Sequence, residues 1–193
     1  MSLPLPQTLR QFIAIDDNVL KDVLSYFKPL HLAKGDYLVK AGQVCTQVAF
    51  VNEGLLRTWH EVNDTEITHW ISDEGFFDTS LSSFSYKTPS RWNLQAITDC
   101  ELLVLDCDDH RTLLQKHTIW RIFESQLLIN SYLGLEERMF SQLHHTAEER
   151  YEKLLTDRRQ LVLRAPLQYL ASMLGMKPET LSRLRKKLTE RNS

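Results

Sequence analysis

The chain has 193 residues and a mass of 22.6 kDa, enough for one large domain or two small ones. It is 42% hydrophobic and 25% charged, which is ordinary globular usage and excludes a disordered chain. The net charge is −2 with pI ≈ 6.4, so any basic surface must be local. No apolar run approaches the roughly 18 residues of a membrane span. The first residues, Met1 to Pro6, lack the charged and apolar regions of a signal peptide, so the expected address is the cytoplasm.

Residues 1 to about 28 read as one helical segment, because Phe12, Ile15, Val19, Val23 and Phe27 recur at steps of three or four. Pro29 closes it. From Leu30 to Leu105 the texture changes to short β-branched and aromatic runs. Turn signals separate them at Gly35, Gly42, Gly54, Asn63-Asp64 and Gly75. This spacing predicts a compact antiparallel sandwich or roll. The three cysteines, Cys45, Cys100 and Cys107, are an odd and widely spaced set. They read as free thiols and form no disulfide framework, zinc ribbon or four-cysteine cluster.

Helical spacing returns from Thr118 to Leu143. Ile119, Ile122, Gln126, Ile129, Leu133, Glu136, Phe140 and Leu143 form an a/d seam, with a second stripe at Trp120, Phe123, Leu127 and Leu128. One stripe can pack on the sheet module while the other meets an identical helix. The alternative is a single buried helix of a monomer. His144-His145 mark a solvated hinge, and three helical blocks follow: Ala147 to Leu155, Leu167 to Leu174 and Pro178 to Thr189.

Charge divides the chain. From Thr146 onward there are eleven bases and six acids, a balance of +5, which leaves −7 for the remainder. Within this basic tail, Pro166 to Leu188 reads as a helix-turn-helix. Leu170, Ala171 and Leu174 make the apolar side of a first helix, and the small Ala171 allows a close crossing. Gly175 ends that helix. Pro178 opens the second, with Glu179 in its first turn. Leu181, Leu184 and Leu188 form the buried face, and Arg183, Lys186 and Lys187 point elsewhere, with Arg185 on the flank. A helix of this kind fits a major groove. The plainer alternative is an amphipathic surface helix with solvated bases.

The whole layout resembles the CRP/FNR family of bacterial transcription regulators. The resemblance runs from about Phe27 to Leu188. It is carried by Leu32 to Gly42, Val48 to Gly54, Ala96 to Leu105 and the terminal motif. It implies an α+β fold: a double-stranded β-helix, or jelly-roll-like β-roll, over 1–117, a dimerisation helix over 118–145, and a winged helix-turn-helix over 146–193. The final hairpin of the wing is short or missing in this chain. The resemblance also implies a homodimer bound to double-stranded DNA. Glu179, Thr180 and Arg183 stand where the family reads bases, and Lys177, Arg185, Lys186 and Lys187 would meet the backbone. The family often has another Arg before the Glu; here it is Pro178, so the sequence read should differ.

The effector cassette departs from that pattern. Cyclic-nucleotide binders of the family hold the ribose with a Glu and the phosphate with an Arg. The Glu position falls on Thr79 within Gly75 to Leu81. The Arg position falls on Ser90, and Arg91 comes one residue late. Ser90, Trp92 and Leu94 share one strand face and Arg91 takes the other, so the slip moves the guanidinium out of the pocket. The hydroxyl pair expected on the long helix is replaced near Gly134 and Leu135. The expected effector site is therefore Phe77, Thr79, Ser90, Trp92 and Leu94, with an apolar or aromatic ligand, or none, in place of cyclic AMP.

Other chemistry is sparse. His60 and His69 should share a hairpin face as surface neighbours, with Trp59 and Trp70 in the core on the other face. No His-x-His, Gly-rich phosphate loop or nucleophile elbow occurs, which points away from a cupin metal site and from an enzyme. The runner-up function is a small-molecule-binding β-roll protein without sequence-specific DNA binding.

Overall fold

A computed structural model describes residues 3–191. Two four-stranded antiparallel sheets face each other, preceded by two short helices and followed by a helical tail. The first sheet has the order β1 (Lys28–Leu32), β8 (Cys100–Asp106), β3 (Gln47–Glu53) and β6 (Phe77–Asp78). The second has the order β2 (Tyr37–Val39), β7 (Asn93–Ala96), β4 (Leu56–Val62) and β5 (Thr65–Ser72). Non-consecutive neighbours in both sheets make this a β-roll. Leu32, Val39, Val51, Leu56, Leu94 and Val104 fill the space between the sheets.

All five turn signals fold as turns. Gly35, Gly42, Gly54 and Gly75 have positive φ, as do Asn63 and Asp64 in the β4–β5 hairpin. Gly54 is further constrained, because a Cβ there would lie 2.4 Å from the Asp99 carbonyl oxygen.

The N-terminal segment is not one helix. It splits into α1 (Leu5–Phe12) and α2 (Asp17–Ser25). The Asp16 side chain accepts from the Asn18 amide and starts α2 afresh, while Ile13 is extended and its amide closes α1 on Leu9 O. Local capping overrides the apolar spacing here. The spaced residues still reach one core, shared with Trp120 and Phe123.

A short helix, α3 (Leu81–Tyr86), links the sheets, and α4 (Cys107–Lys116) leads into the long helix α5 (Thr118–His144). Trp120 and Phe123 are buried against the roll. Ile122, Ile129, Leu133, Phe140 and Leu143, on the other stripe, stand about half exposed or more. Leu128 is also exposed, although the spacing groups it with the buried stripe.

The tail holds one helix more than the spacing predicts. It comprises α6 (Ala147–Asp157), α7 (Arg159–Arg164), α8 (Leu167–Met173) and α9 (Pro178–Arg191). The six residues of α7 are too short to display a period. A capping box of Thr146 and Glu149 starts α6. Among the described residues no strand follows β8, so the expected wing has no counterpart there. The tail does not hang free. Its core residues Leu161, Leu170, Ala171, Leu174 and Leu181 join Leu55, Ile71 and Ile97 of the roll in one buried cluster.

Candidate functional site

Two features stand out: a cavity between the roll and α5, and the exposed side of α9.

The cavity has a volume of about 510 Å³. Its walls come from β5 (His69, Trp70), the β6 segment (Phe76, Phe77, Asp78, Thr79), Trp92, and the inner face of α5 (Trp120, Phe123, Leu127). The rings pack edge to face, Phe77 on Phe123 at 5.5 Å between centroids and Phe50 on Phe77 at 5.1 Å. Three of the five expected effector residues, Phe77, Thr79 and Trp92, line it. Thr79 donates its hydroxyl to the Gln47 carbonyl at 2.8 Å. Ser90 and Leu94 lie elsewhere. Leu94 is fully buried between the sheets. Ser90 is buried and bonded to Ser80 Oγ at 2.8 Å and Trp92 O at 2.7 Å. β7 begins only at Asn93, so Ser90 and Trp92 precede the regular alternation on which their shared face depended. Arg91 is exposed, away from the wall.

His60 and His69 are neighbours on one face, as expected, but they are half-buried and not surface residues. A bulge pairs Trp59 with Thr68 and Thr58 with Trp70, which leaves His69 as the extra residue. Both rings rest on Trp92: His60 edge-on at 4.9 Å and His69 stacked at 4.7 Å. Burial, the Arg138 guanidinium and His60 hold the His69 pKa below its ordinary value. Trp59 is buried and Trp70 half-buried, but the same bulge sets Trp70 opposite Thr58 and Trp59 opposite Thr68, so the two do not share a face as the alternation predicts. Among the described residues no three His, Cys, Asp or Glu gather as metal ligands.

The cavity also contains what the spacing could not place. Asp78 accepts from Ser72 Oγ at 2.8 Å and Thr58 Oγ1 at 3.1 Å. Burial pushes its pKa up to about 6, against the lowering effect of these hydroxyls and a backbone amide. Arg158, from the junction of α6 and α7, closes one side. Its Nη2 donates to Ile71 O at 2.7 Å and pairs with Asp73, and its guanidinium lies over Trp70 and Phe76, 4.8 and 4.7 Å from their centroids. Asp78 is visible in the sequence as a lone acid after Gly75-Phe76-Phe77. Arg158 carries no such signal, being 88 residues from Trp70.

Arg158 is one of several ties between tail and roll. Arg164 pairs with Glu74 at 2.7 Å. Ser172 Oγ accepts from the Thr68 amide at 2.8 Å. Tyr169 stacks 3.8 Å from the buried Arg57 guanidinium. Arg138 of α5 donates to both His69 O and Met173 O, joining three elements.

At the other feature, α8 and α9 meet at Gly175, whose φ is +67°. Leu181 and Leu188 are buried, with Leu184 partly so. Lys177, Glu179, Thr180, Arg183 and Lys186 are exposed. Arg185 and Lys187 turn back onto the tail: Arg185 donates to Val162 O at 3.0 Å, and Lys187 pairs with Glu148 at 2.7 Å.

Residues 29–117 match the family model of the cyclic nucleotide-binding domain. Among solved structures the chain resembles FixK2 of Bradyrhizobium japonicum, with a TM-score of 0.73 and 16% identity over 86% of each chain. It also resembles CLP of Xanthomonas campestris, described as a c-di-GMP responsive global regulator, with a TM-score of 0.69 and 18% identity over 92% of this chain and 93% of that one. The catabolite activator protein of Thermus thermophilus gives a TM-score of 0.57 and 21% identity over 96% and 88%. These likenesses establish a shared fold. The voltage-gated potassium channel KCNH1 of Rattus norvegicus is 24% identical over 143 residues, which cover 74% of this chain and 15% of the channel. No described helix is long and apolar enough to cross a membrane.

Proposed function

We propose that the protein is a homodimeric DNA-binding transcription regulator of the CRP/FNR type, with a β-roll that senses a small molecule other than cyclic AMP. The observation that carries this reading is α9. It is seated on α8 through Leu181 and Leu188 and presents Lys177, Glu179, Thr180, Arg183 and Lys186 to solvent. A two-fold pair of such helices reaches successive major-groove faces about 34 Å apart. Arg183 is the base reader, with Glu179 and Thr180 beside it. Lys177 and Lys186 meet phosphates.

The half-exposed seam of α5, around Ile129, Leu133 and Phe140, supports the dimer. The cavity supports the sensor. A cyclic phosphate needs a fork-shaped cation. Arg91 is exposed, and Arg158, the cavity's single Lys or Arg among the described residues, is already held by Asp73. A ligand acts on DNA binding by favouring one arrangement of roll, α5 and tail over another. Arg138, on α5, donates to the roll at His69 O and to the tail at Met173 O, and so touches all three parts.

The test is binding-site selection on the purified protein at two salt concentrations. The expected result is a near-palindrome with half-sites about one helical turn apart, bound with a steep salt dependence. Weak binding without sequence preference would favour a small-molecule-binding β-roll protein in its place.

A further inference from the structure

We propose that the cavity between the β-roll and α5 binds an organic cation with an aromatic or alkyl body, its ammonium group held by the Asp78 carboxyl and the surrounding ring faces. The inference rests on reading that cavity as the effector site, and it adds the charge of the ligand.

The charge of the wall favours a cation. The wall holds the carboxyls of Asp78 and Glu124 and the guanidinium of Arg158. Glu124 faces His110 at 3.1 Å, and Arg158 is committed to Asp73 and Ile71 O. Asp78 meets only neutral donors, from Thr58, Ser72 and the Thr79 backbone. The uncompensated charge of the cavity is therefore negative. An ammonium brought beside Asp78 replaces a charge without a counter-ion by a desolvated pair, where attraction is stronger than in water.

Shape and lining favour an aromatic or alkyl body. Trp70, Phe77, Trp92, Trp120 and Phe123 make the wall aromatic and leave room for a body of drug-like size. Ring faces are negative and attract cations. An anion would meet both these faces and Asp78. Arg158 Nε and Nη1 have no hydrogen-bond partner, which an anion could supply. The Trp70 and Phe76 rings already cover that guanidinium.

The test compares 4-phenylbutylammonium, 4-phenylbutanol and 4-phenylbutyrate by calorimetry and tryptophan fluorescence on the full chain at about pH 7.5. The ammonium compound is expected to bind at least about tenfold more tightly than the alcohol, and the carboxylate no better than the alcohol. Asp78→Asn should bring the ammonium compound down to the level of the alcohol. The proposal is overturned if the carboxylate binds most tightly, if all three bind alike, if no ammonium binding appears at millimolar concentration, or if the preference survives in Asp78→Asn. Should that variant fail to fold, the charge series on the unsubstituted protein decides alone. Site selection on the same preparation separates the two readings. A failed cation preference leaves DNA binding intact, and a failed DNA selection leaves the cation preference intact.

Discussion

Arg158 of the tail and Asp73 of the roll form an ion pair whose side chains are only 12% and 16% exposed. Removing one member of such a pair leaves the other buried and uncompensated, at a cost of about 3–5 kcal/mol. Arg158→Ala is therefore expected to loosen the tail and to split calorimetric unfolding into two transitions. The double variant with Asp73→Ala should recover part of the loss. A single transition at the original midpoint would show that the apolar cluster holds the tail by itself.

Asp78 gives the fold a pH signature. Its folded pKa of about 6 lies above the unstructured value of 3.8. The folded state thus holds more proton than the unfolded one between these values, and stability falls as pH rises through that window. The cost is absent below pH 4 and complete above pH 6, at most about 3 kcal/mol. His69 works in the opposite sense, since its lowered pKa costs stability as pH falls below 6.5. Urea unfolding across pH 4 to 7 should give a difference between wild type and Asp78→Asn that changes through this window. A flat difference would mean that the carboxyl is already solvated.

Leu133 stands 51% exposed in the α5 seam. Leu133→Glu would place a charge in each copy of the dimer contact proposed for α5, costing several kcal/mol per dimer. The expected outcome is a monomer by light scattering at low protein concentration. A persistent dimer would place the contact elsewhere on the chain.

On α9 the bases should separate by role. Arg183→Ala is expected to cost about 1–3 kcal/mol and to relax the choice at one base position. Lys186→Ala should weaken all sequences alike and lower the salt slope by roughly one. Lys187 is paired with Glu148, so Lys187→Ala should change the slope less than Lys186→Ala does. Equal slope changes for the two lysines would mean that the Glu148 pair opens on DNA.

Much of the architecture is legible because it is local. Positive-φ residues mark the turns of the roll, and the 3–4 spacing marks α5, whose 27 residues fall where the period places them. Capping at Asp16 and the shortness of α7 defeat the same logic. The cavity is legible only in part. Phe77, Thr79 and Trp92 stand at its wall, but Ser90 and Leu94 do not: Ser90 is held by Ser80 and Trp92 O, and Leu94 is taken up between the sheets. Arg158 reaches Trp70 through the docking of two modules, which no periodicity records.

That docking has a consequence for solubility. β5 is an edge strand of its sheet, with exposed Ile67 near the hairpin tip, and the tail meets that edge where Ser172 accepts the Thr68 amide. A bare edge is a template on which another chain can add a strand. The tail therefore acts as a guard against self-association. Any state that frees the tail while leaving the roll folded should trade faster movement of α9 for a growing tendency to form strand-paired aggregates.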